Sequence, residues 1–300
     1  MPCLTLVTTC LDNKDYLEAC LDHYFEAQDN VEDKSISFEL YVRDFGKEPG
    51  LIQFLMKKYK GREILYVRSP GAGLVKNLNA GRSAFLERIK GVRGLKRASE
   101  RNRSFMVYLN DDAAIHKDFL VSAYRAISGG FGFVGGVPQP DGWCAPVEAL
   151  CIPEPIPQIE KITDIKRLWW ESSACVISVD LLERVGEWDP VFDMITKGTG
   201  YISDNDYMIR TLKLGFYPIR NFRMPFWHGK GVTQCHYRLP GPMDKIRSRA
   251  VNYMKLKWGV NLDTDEDVEI ENCYSKPFDG GKFTVTGSGM FMLNGEEVKI

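Results

Sequence analysis

None of the eight cysteines stands in a Cys-x-x-Cys pair or at zinc-ligand spacing; Cys3, Cys10, Cys20, Cys144, Cys151, Cys175, Cys235 and Cys273 are scattered along the chain. That scatter argues against a structural zinc module and reads as mostly reduced thiols in a cytosolic protein. No apolar run approaches the roughly 20 residues of a membrane span, and no charged-then-apolar leader opens the sequence. The expectation is a cytoplasmic protein without a transmembrane segment, with peripheral membrane contact left open. Net charge is also missing, with 39 basic residues against 40 acidic ones, so a nucleic-acid or membrane partner has to be argued locally. There is no internal repeat and no low-complexity tract. What is present is material for a core: 44% apolar and 12% aromatic residues over 300 positions, enough for one large or two ordinary domains.

The most informative stretch is Phe105-Met106-Val107-Tyr108-Leu109-Asn110-Asp111-Asp112, an unbroken apolar run that ends in two adjacent carboxylates. Such a run reads as a strand buried on both faces, and strands of a parallel sheet end at its ligand-binding edge. Adjacent carboxylates repel unless a cation shares them, and hard ions such as Mg²⁺ or Mn²⁺ favour oxygen ligands of this kind. The plainer alternative is a loop with solvated acids, or Asn110 and Asp111 capping a helix.

Ahead of this stretch the pattern is strand, loop, helix, three times over. Strands are expected at Leu4–Thr9, Phe38–Asp44 and Ile64–Val67, with helices carrying Leu17, Cys20, Leu21, Tyr24 and Phe25, then Leu51, Phe54, Leu55 and Tyr59. Successive βα units argue for a parallel sheet with right-handed crossovers. Ser69-Pro70-Gly71-Ala72-Gly73 then opens a helix through Leu74, Leu78 and Phe85, whose N-terminus is a candidate phosphate cradle, although the dinucleotide fingerprint is incomplete. Residues 88–103 carry seven basic residues against the acid Glu100, a patch that could hold an anionic or nucleic-acid acceptor or simply be solvated surface.

Beyond the acidic pair a helix is expected over 117–127, a glycine-rich strand over 131–137, and a loop excursion over 138–157, where six prolines stand with Trp143. A strand follows over 172–179. Ser203-Asp204-Asn205-Asp206 precedes an amphipathic helix that stops at Gly215, and these aspartates could be helix caps. A strand is expected at Phe216–Arg220, with His228 in a glycine-rich loop after it. A last helix over 242–258 precedes a small β-meander at 282–300 with an Asn294-Gly295 turn.

In this order the pieces resemble the GT-A glycosyltransferases, most nearly the family 2-like enzymes. The matching features are Thr8-Thr9 on the first strand, Asp44 ending the second, and Gly71-Ala72-Gly73 followed by Asn79-Ala80-Gly81. To these are added Asn110-Asp111-Asp112 at the DxD position, Gly186-Glu187-Trp188-Asp189-Pro190, Ser203-Asp204-Asn205-Asp206-Tyr207-Met208-Ile209-Arg210, and His228. The resemblance covers about residues 3–235. It implies an α/β GT-A (Rossmann-like), mostly parallel sheet flanked by helices. Residues 1–240 would form the glycosyltransferase domain, with a nucleotide-binding half of about 1–112 and an acceptor half of about 113–240. Residues 241–300 would be a C-terminal helix and β-meander extension.

The same resemblance implies a metal-dependent transfer of a hexosyl or deoxyhexosyl group from a UDP-, GDP- or TDP-linked sugar to a glycan, lipid-linked or other hydroxyl acceptor, in glycan biosynthesis. Thr8, Thr9 and Asp44 would contact the nucleoside, Asn79 the diphosphate or ribose, and Asn110 and Asp111 the donor. Asp112 and His228 would hold Mn²⁺ or Mg²⁺, and Asp204 would be the general base of an inverting displacement. Asp206 is a second carboxylate candidate, and Trp170 a candidate acceptor contact. Two departures stand out: Asn110 replaces the first acid of DxD, and Ser203 replaces the glutamate before the catalytic aspartate. A nucleotidylyltransferase and a catalytically degenerate GT-A binding module are the alternatives; the first normally carries a glycine-rich basic loop after strand one, whereas this chain has Cys10-Leu11-Asp12-Asn13-Lys14.

Overall fold

The structure, a computed structural model, describes residues 2–9, 14–33, 35–46, 49–91, 104–138, 159–162, 173–229, 243–259, 261–262, 283–285, 291–293 and 296–297. Trp170, the segment after Pro138 through 157, residues 92–103 of the basic run and the Asn294-Gly295 turn lie outside them.

Alternation along the apolar strands decides the layering, because successive side chains point to opposite faces of a sheet. In β4 (Phe105–Asn110), Met106 and Tyr108 join one core cluster while Phe105, Val107 and Leu109 join another across the sheet. Both faces therefore need helices. The first units supply them: β1 (Pro2–Thr9), α1 (Lys14–Asp29), β2 (Ser37–Asp44), α2 (Leu51–Lys58), β3 (Ile64–Arg68) and α3 (Leu74–Gly91). Gly81 of α3 sits against the Leu6 side chain, where an added Cβ would come within 2.4 Å of Leu6 Cδ2, so the helix lies close on β1.

After β4 come β5 (Ala113–Ile115), α4 (Phe119–Ser128), β6 (Phe133–Pro138), β7 (Ile159–Lys161), β8 (Ala174–Ser178), α5 (Val179–Val185), α6 (Val191–Ile195), α7 (Ser203–Lys213) and β9 (Ile219–His228). One nine-stranded sheet results, in the order β3-β2-β1-β4-β8-β6-β9-β5, with β7 also on β9. Strands β3, β2, β1 and β4 run parallel; β8 is antiparallel to β4 and to β6. The last helix, α8 (Met243–Trp258), places Ala250, Val251, Tyr253, Met254 and Trp258 in the same cluster as Leu4, Phe192 and Tyr207. Beyond it β10 (Phe283–Val285), β11 (Phe291–Leu293) and β12 (Glu296–Glu297) form the expected antiparallel meander. Among the described residues no helix is long and apolar enough to cross a membrane.

Two readings of the sequence change here. The expected strand at 216–220 and the loop holding His228 are instead one strand, β9, on which His228 is the last residue. Helix α7 begins at Ser203, so Asp204 and Asp206 lie in its first turn. Of the described cations of the basic run, Arg88 pairs with Glu39 and Lys90 with Glu87.

The register between β6 and β9 shifts around Gly136. A Cβ at Gly136 would stand 2.7 Å from the Met224 carbonyl oxygen and 3.0 Å from Phe119 Cε2, and neither a backbone oxygen nor a buried ring can yield freely. Gly136→Ala is expected to lower unfolding stability by about 1–3 kcal/mol, the usual cost of overpacking a core. Urea unfolding followed by circular dichroism checks this; an unchanged midpoint would contradict the tight fit.

Candidate active site

Parallel pairing brings the early candidates to one edge. Thr9 is in register with Asp44, and Thr8 with Asn110, so all four stand side by side at the carboxyl ends of β1, β2 and β4. The chain then leaves β4 through Asp111 and Asp112, which are only 6% and 4% exposed. Strand β9 returns to the same place: His228 is in register with Ala113, and the Gly229 amide donates to the Asp112 carbonyl at 2.9 Å.

A hydrogen-bonded chain runs across this edge. Thr8 Oγ1 lies 3.2 Å from the Tyr108 hydroxyl, which donates to Asn110 Oδ1 at 2.6 Å. With its oxygen so used, Asn110 turns its amide nitrogen to Ser173 Oγ at 3.2 Å and to His228 Nε2 at 3.3 Å. His228 Nε2 also faces Ser173 Oγ at 3.2 Å and Asp112 Oδ1 at 3.2 Å. The Asn110 carbonyl accepts from the buried Cys20 thiol at 3.5 Å. Burial, then the charges of Asp111 and Asp112, hold that thiol well above its ordinary pKa. The Tyr108 hydroxyl is likewise pushed up by burial, with Cys175, Asp111 and Asp204 adding to the effect and Thr8 opposing it. Three carboxylates thus act on one small region.

Behind this edge is a cavity of about 250 Å³, lined on the polar side by Asn110, Asp204 and His228 and on the apolar side by Leu78, Phe133 and Met208. Asp204 reaches it from the first turn of α7, and its carboxylate accepts from the Asn205 amide at 3.1 Å. Trp188 and Tyr207 stack at 4.2 Å between ring centres to form another wall.

Asp44, Asn79 and Asp206 have side chains engaged by the surrounding protein. Asp44 accepts from the Gly46 amide at 2.8 Å and from the Tyr66 hydroxyl at 2.5 Å. Asn79 is bound through both ends of its amide to the Trp188 backbone, at 2.7 and 2.8 Å, and so fastens α3 to the cavity wall. The Thr9 hydroxyl is buried without a partner. Asp206, fully buried, accepts from Arg210 Nε at 3.0 Å, Trp258 Nε1 at 2.8 Å and Lys257 Nζ at 2.6 Å. Asp204 lines the cavity and Asp206 does not.

The expected phosphate cradle at the start of α3 is filled from within the chain. Asp193 accepts from the Val75 and Lys76 amides at 3.0 and 2.8 Å, the anion-at-N-terminus arrangement supplied by a side chain. Gly73 is required there, since a Cβ would fall 2.2 Å from Asp193 Cγ. Tyr108 and Ser173 are the site residues that sequence reading passed over. Tyr108 is a polar-tipped ring inside an apolar run, and its hydroxyl had to find a partner, which is the signal that was there to be read.

The residues at the edge suit a divalent cation. An imidazole nitrogen has one lone pair, so Nε2 can accept from Asn110 or bind a cation but not both; with the Asn110 amide given to Ser173, Nε2 and the Asp112 carboxylate could share a cation. Among the described residues no group of three or more His, Cys, Asp or Glu side chains converges as a metal site. A carboxylate, with other positions left to substrate oxygens and water, is a partial ligand set that hard ions such as Mg²⁺ and Mn²⁺ take, and the imidazole beside it suits softer divalent ions.

The mixed sheet with helices on both faces is of the GT-A type, and a solved structure carries the likeness. S. aureus TarS 1-349 in complex with UDP is similar in fold, with a TM-score of 0.51 at 13% identity over 91% of this chain and 68% of that one. The mannosyltransferase PcManGT from Pyrobaculum calidifontis, in complex with GDP-Man and Mn²⁺, aligns with a TM-score of 0.46 at 16% identity over 72% of this chain, which spans 53% of that enzyme. GalNAc-T7 with UDP, GalNAc and Mn²⁺ gives 0.48 at 9% identity, over 75% of this chain and 43% of that one. No protein-family model matches the chain, and no curated protein matches it.

Burial pushes the Asp193 carboxyl up to about 6 even though the Lys76 and Val75 amides pull it down. The native state then binds a proton more tightly than the unfolded chain, so this group's contribution to stability falls as pH rises from about 4 to about 6, by up to about 3 kcal/mol. Asp193→Asn is expected to flatten that part of the profile, read from urea midpoints between pH 4 and pH 7. A slope identical to the parent's would remove Asp193 as its source.

Proposed function

We propose that this chain is a metal-dependent glycosyltransferase that moves a hexosyl or deoxyhexosyl group from a UDP-, GDP- or TDP-linked donor to an acceptor hydroxyl, with inversion. The observation that carries the reading is the meeting of Asp204, Asn110 and His228 on one cavity, with Asp112 against His228 at the sheet edge.

An acceptor hydroxyl ionises far above neutral pH, so it needs a carboxylate within hydrogen-bond reach to take its proton as the new bond to the anomeric carbon forms. Asp204 fits that role because it faces the cavity, whereas both oxygens of Asp206 are already engaged. Asp112 and His228 would hold a Mn²⁺ or Mg²⁺ ion, and when bound that ion supplies charge stabilisation for the departing diphosphate. Asn110 stands where relatives of this kind carry an acid. Its amide, held by the Tyr108 hydroxyl and directed to Ser173, would line the edge beside the ion without adding charge. Thr8, Thr9, Asp44 and Asp111, on the same edge, are proposed to receive the nucleoside and ribose. Leu78, Phe133 and Met208 keep water from the reacting centre. Asp112 and Asp204 thus divide binding from proton transfer, and their variants should separate the two.

Asp112→Ala is expected to abolish the Mn²⁺-dependent thermal stabilisation given by UDP or GDP. Asp204→Asn should keep that stabilisation and lose transfer by about 10²–10⁴-fold, the usual worth of general-base catalysis. Transfer by Asp204→Asn at the parental rate would end the base assignment. Absence of any stabilisation of the parent by UDP, GDP or TDP with Mn²⁺ would end the donor-site reading.

A further inference from the structure

The cavity has two walls that belong to different parts of the chain. One is the turn before α6, carrying Trp188; the other is the first turn of α7, carrying Asp204. Each wall also bears an aspartate turned away from the cavity: Asp189 beside Trp188, and Asp206 two residues beyond Asp204. Lys257 of α8 lies between these two aspartates, with Nζ 2.6 Å from Asp189 Oδ2 and 2.6 Å from Asp206 Oδ1. Neighbours on the same helix secure both ends: the Tyr253 hydroxyl donates to Asp189 Oδ2 at 2.7 Å, and Trp258 Nε1 to Asp206 Oδ1 at 2.8 Å.

The charges close on themselves. Two carboxylates face two cations, Lys257 and Arg210, and Arg210 in turn donates to the Val185 carbonyl at 2.8 Å. Burial raises the Asp189 carboxyl pKa, yet the Lys257 ammonium and the hydrogen bonds from Lys257, Tyr253 and Val191 outweigh it and hold the carboxyl below the ordinary range. Removing a member of such a buried charge network is costly, because the remaining charges stay buried without their partner. Without Lys257 the two walls would carry like charges toward each other.

We propose that Lys257 is a positioning residue: it fixes the separation of the two cavity walls and so holds Asp204 at its working place, which makes the C-terminal helix part of the catalytic unit. The inference rests on the glycosyltransferase reading for the role of Asp204, but the clamp can be tested without it. Lys257 touches neither the cavity nor the sheet edge, so its removal should disturb the placement of the base more than the capture of the donor.

The test uses the full chain with Lys257→Met, Lys257→Arg and Asp189→Asn. The last frees only one end of the clamp, leaves Asp206 its two cations and keeps an oxygen for the Val191 amide, so it guards against general unfolding. Hydrogen exchange of the unliganded protein is expected to speed up at least tenfold in 186–191 and 198–206 in Lys257→Met, less in Asp189→Asn, with 105–110 unchanged and the parental pattern largely regained in Lys257→Arg. In turnover, Lys257→Met should lose at least tenfold in kcat while the Kd for UDP or GDP with Mn²⁺ stays within threefold. Parental exchange in both wall segments would overturn the clamp, and so would parental kcat in Lys257→Met. A parent that transfers no sugar while the wall segments respond as described would sink the transferase reading and leave the clamp supported.

Discussion

Two neighbouring carboxylates, Asp111 and Asp112, are nearly buried at the end of the central strand, and the surrounding structure is arranged to make that tolerable. Charge taken out of water has to be met by hydrogen bonds, by opposite charge or by a metal. Here β9 turns back so that His228 stands 3.2 Å from Asp112, and the Gly229 amide holds the Asp112 carbonyl. The position of β9 in turn requires the shifted register at Gly136 and the antiparallel pairing with β5, a strand of three residues directly after the acids. The sheet edge is thus shaped around a concentration of negative charge, the environment in which a cation and a phosphate-bearing ligand are jointly favoured.

The parallel half of the fold was legible because each of its elements has a local signal. Leu4 to Thr9, Phe38 to Asp44 and Phe105 to Leu109 are short apolar runs bounded by polar residues, and the helices between them carry apolar residues at helical spacing. Strand β9 lacked such a signal. The glycines after His228 read as a loop, yet the strand runs through Pro225, whose carbonyl accepts from the His116 amide at 3.1 Å, to His228. Strands β5 and β7, of three residues each, are too short for any period to declare them.

The sequence offered candidate site residues without the directions of their side chains. Asp204 and Asp206 are equivalent as members of a motif, but two residues along a helix is a turn of about 200°, so one faces the cavity and the other the core. Asn79 stands where a ligand contact was expected and instead fastens α3 to Trp188. The Gly71-Ala72-Gly73 turn looked like a phosphate cradle until the fold brought Asp193, well over a hundred residues on, to its amides. Contacts of that separation carry no local trace. The same is true of Lys257, whose partners are Asp189 and Asp206.

The placement of Asp204 has a cost in the backbone just before it. Ile202 adopts φ 68°, ψ 2°, a left-handed conformation that is a true outlier for a β-branched residue and costs on the order of 1–3 kcal/mol. An asparagine or glycine would sit there with less strain, so the isoleucine has to be held. Its side chain is 4% exposed within the main core cluster, a burial worth about 1.5–3 kcal/mol. The Ser203 amide closes a turn onto the Gly200 carbonyl at 2.9 Å, and the Leu74 amide anchors the preceding loop through the Gly198 carbonyl at 2.8 Å. Burial and strain are of similar size, so the side chain that requires the unfavourable backbone also stabilises it. The helix can then start at Ser203 and not a residue earlier, which turns the first of its two aspartates toward the cavity and the second toward Arg210 and Lys257.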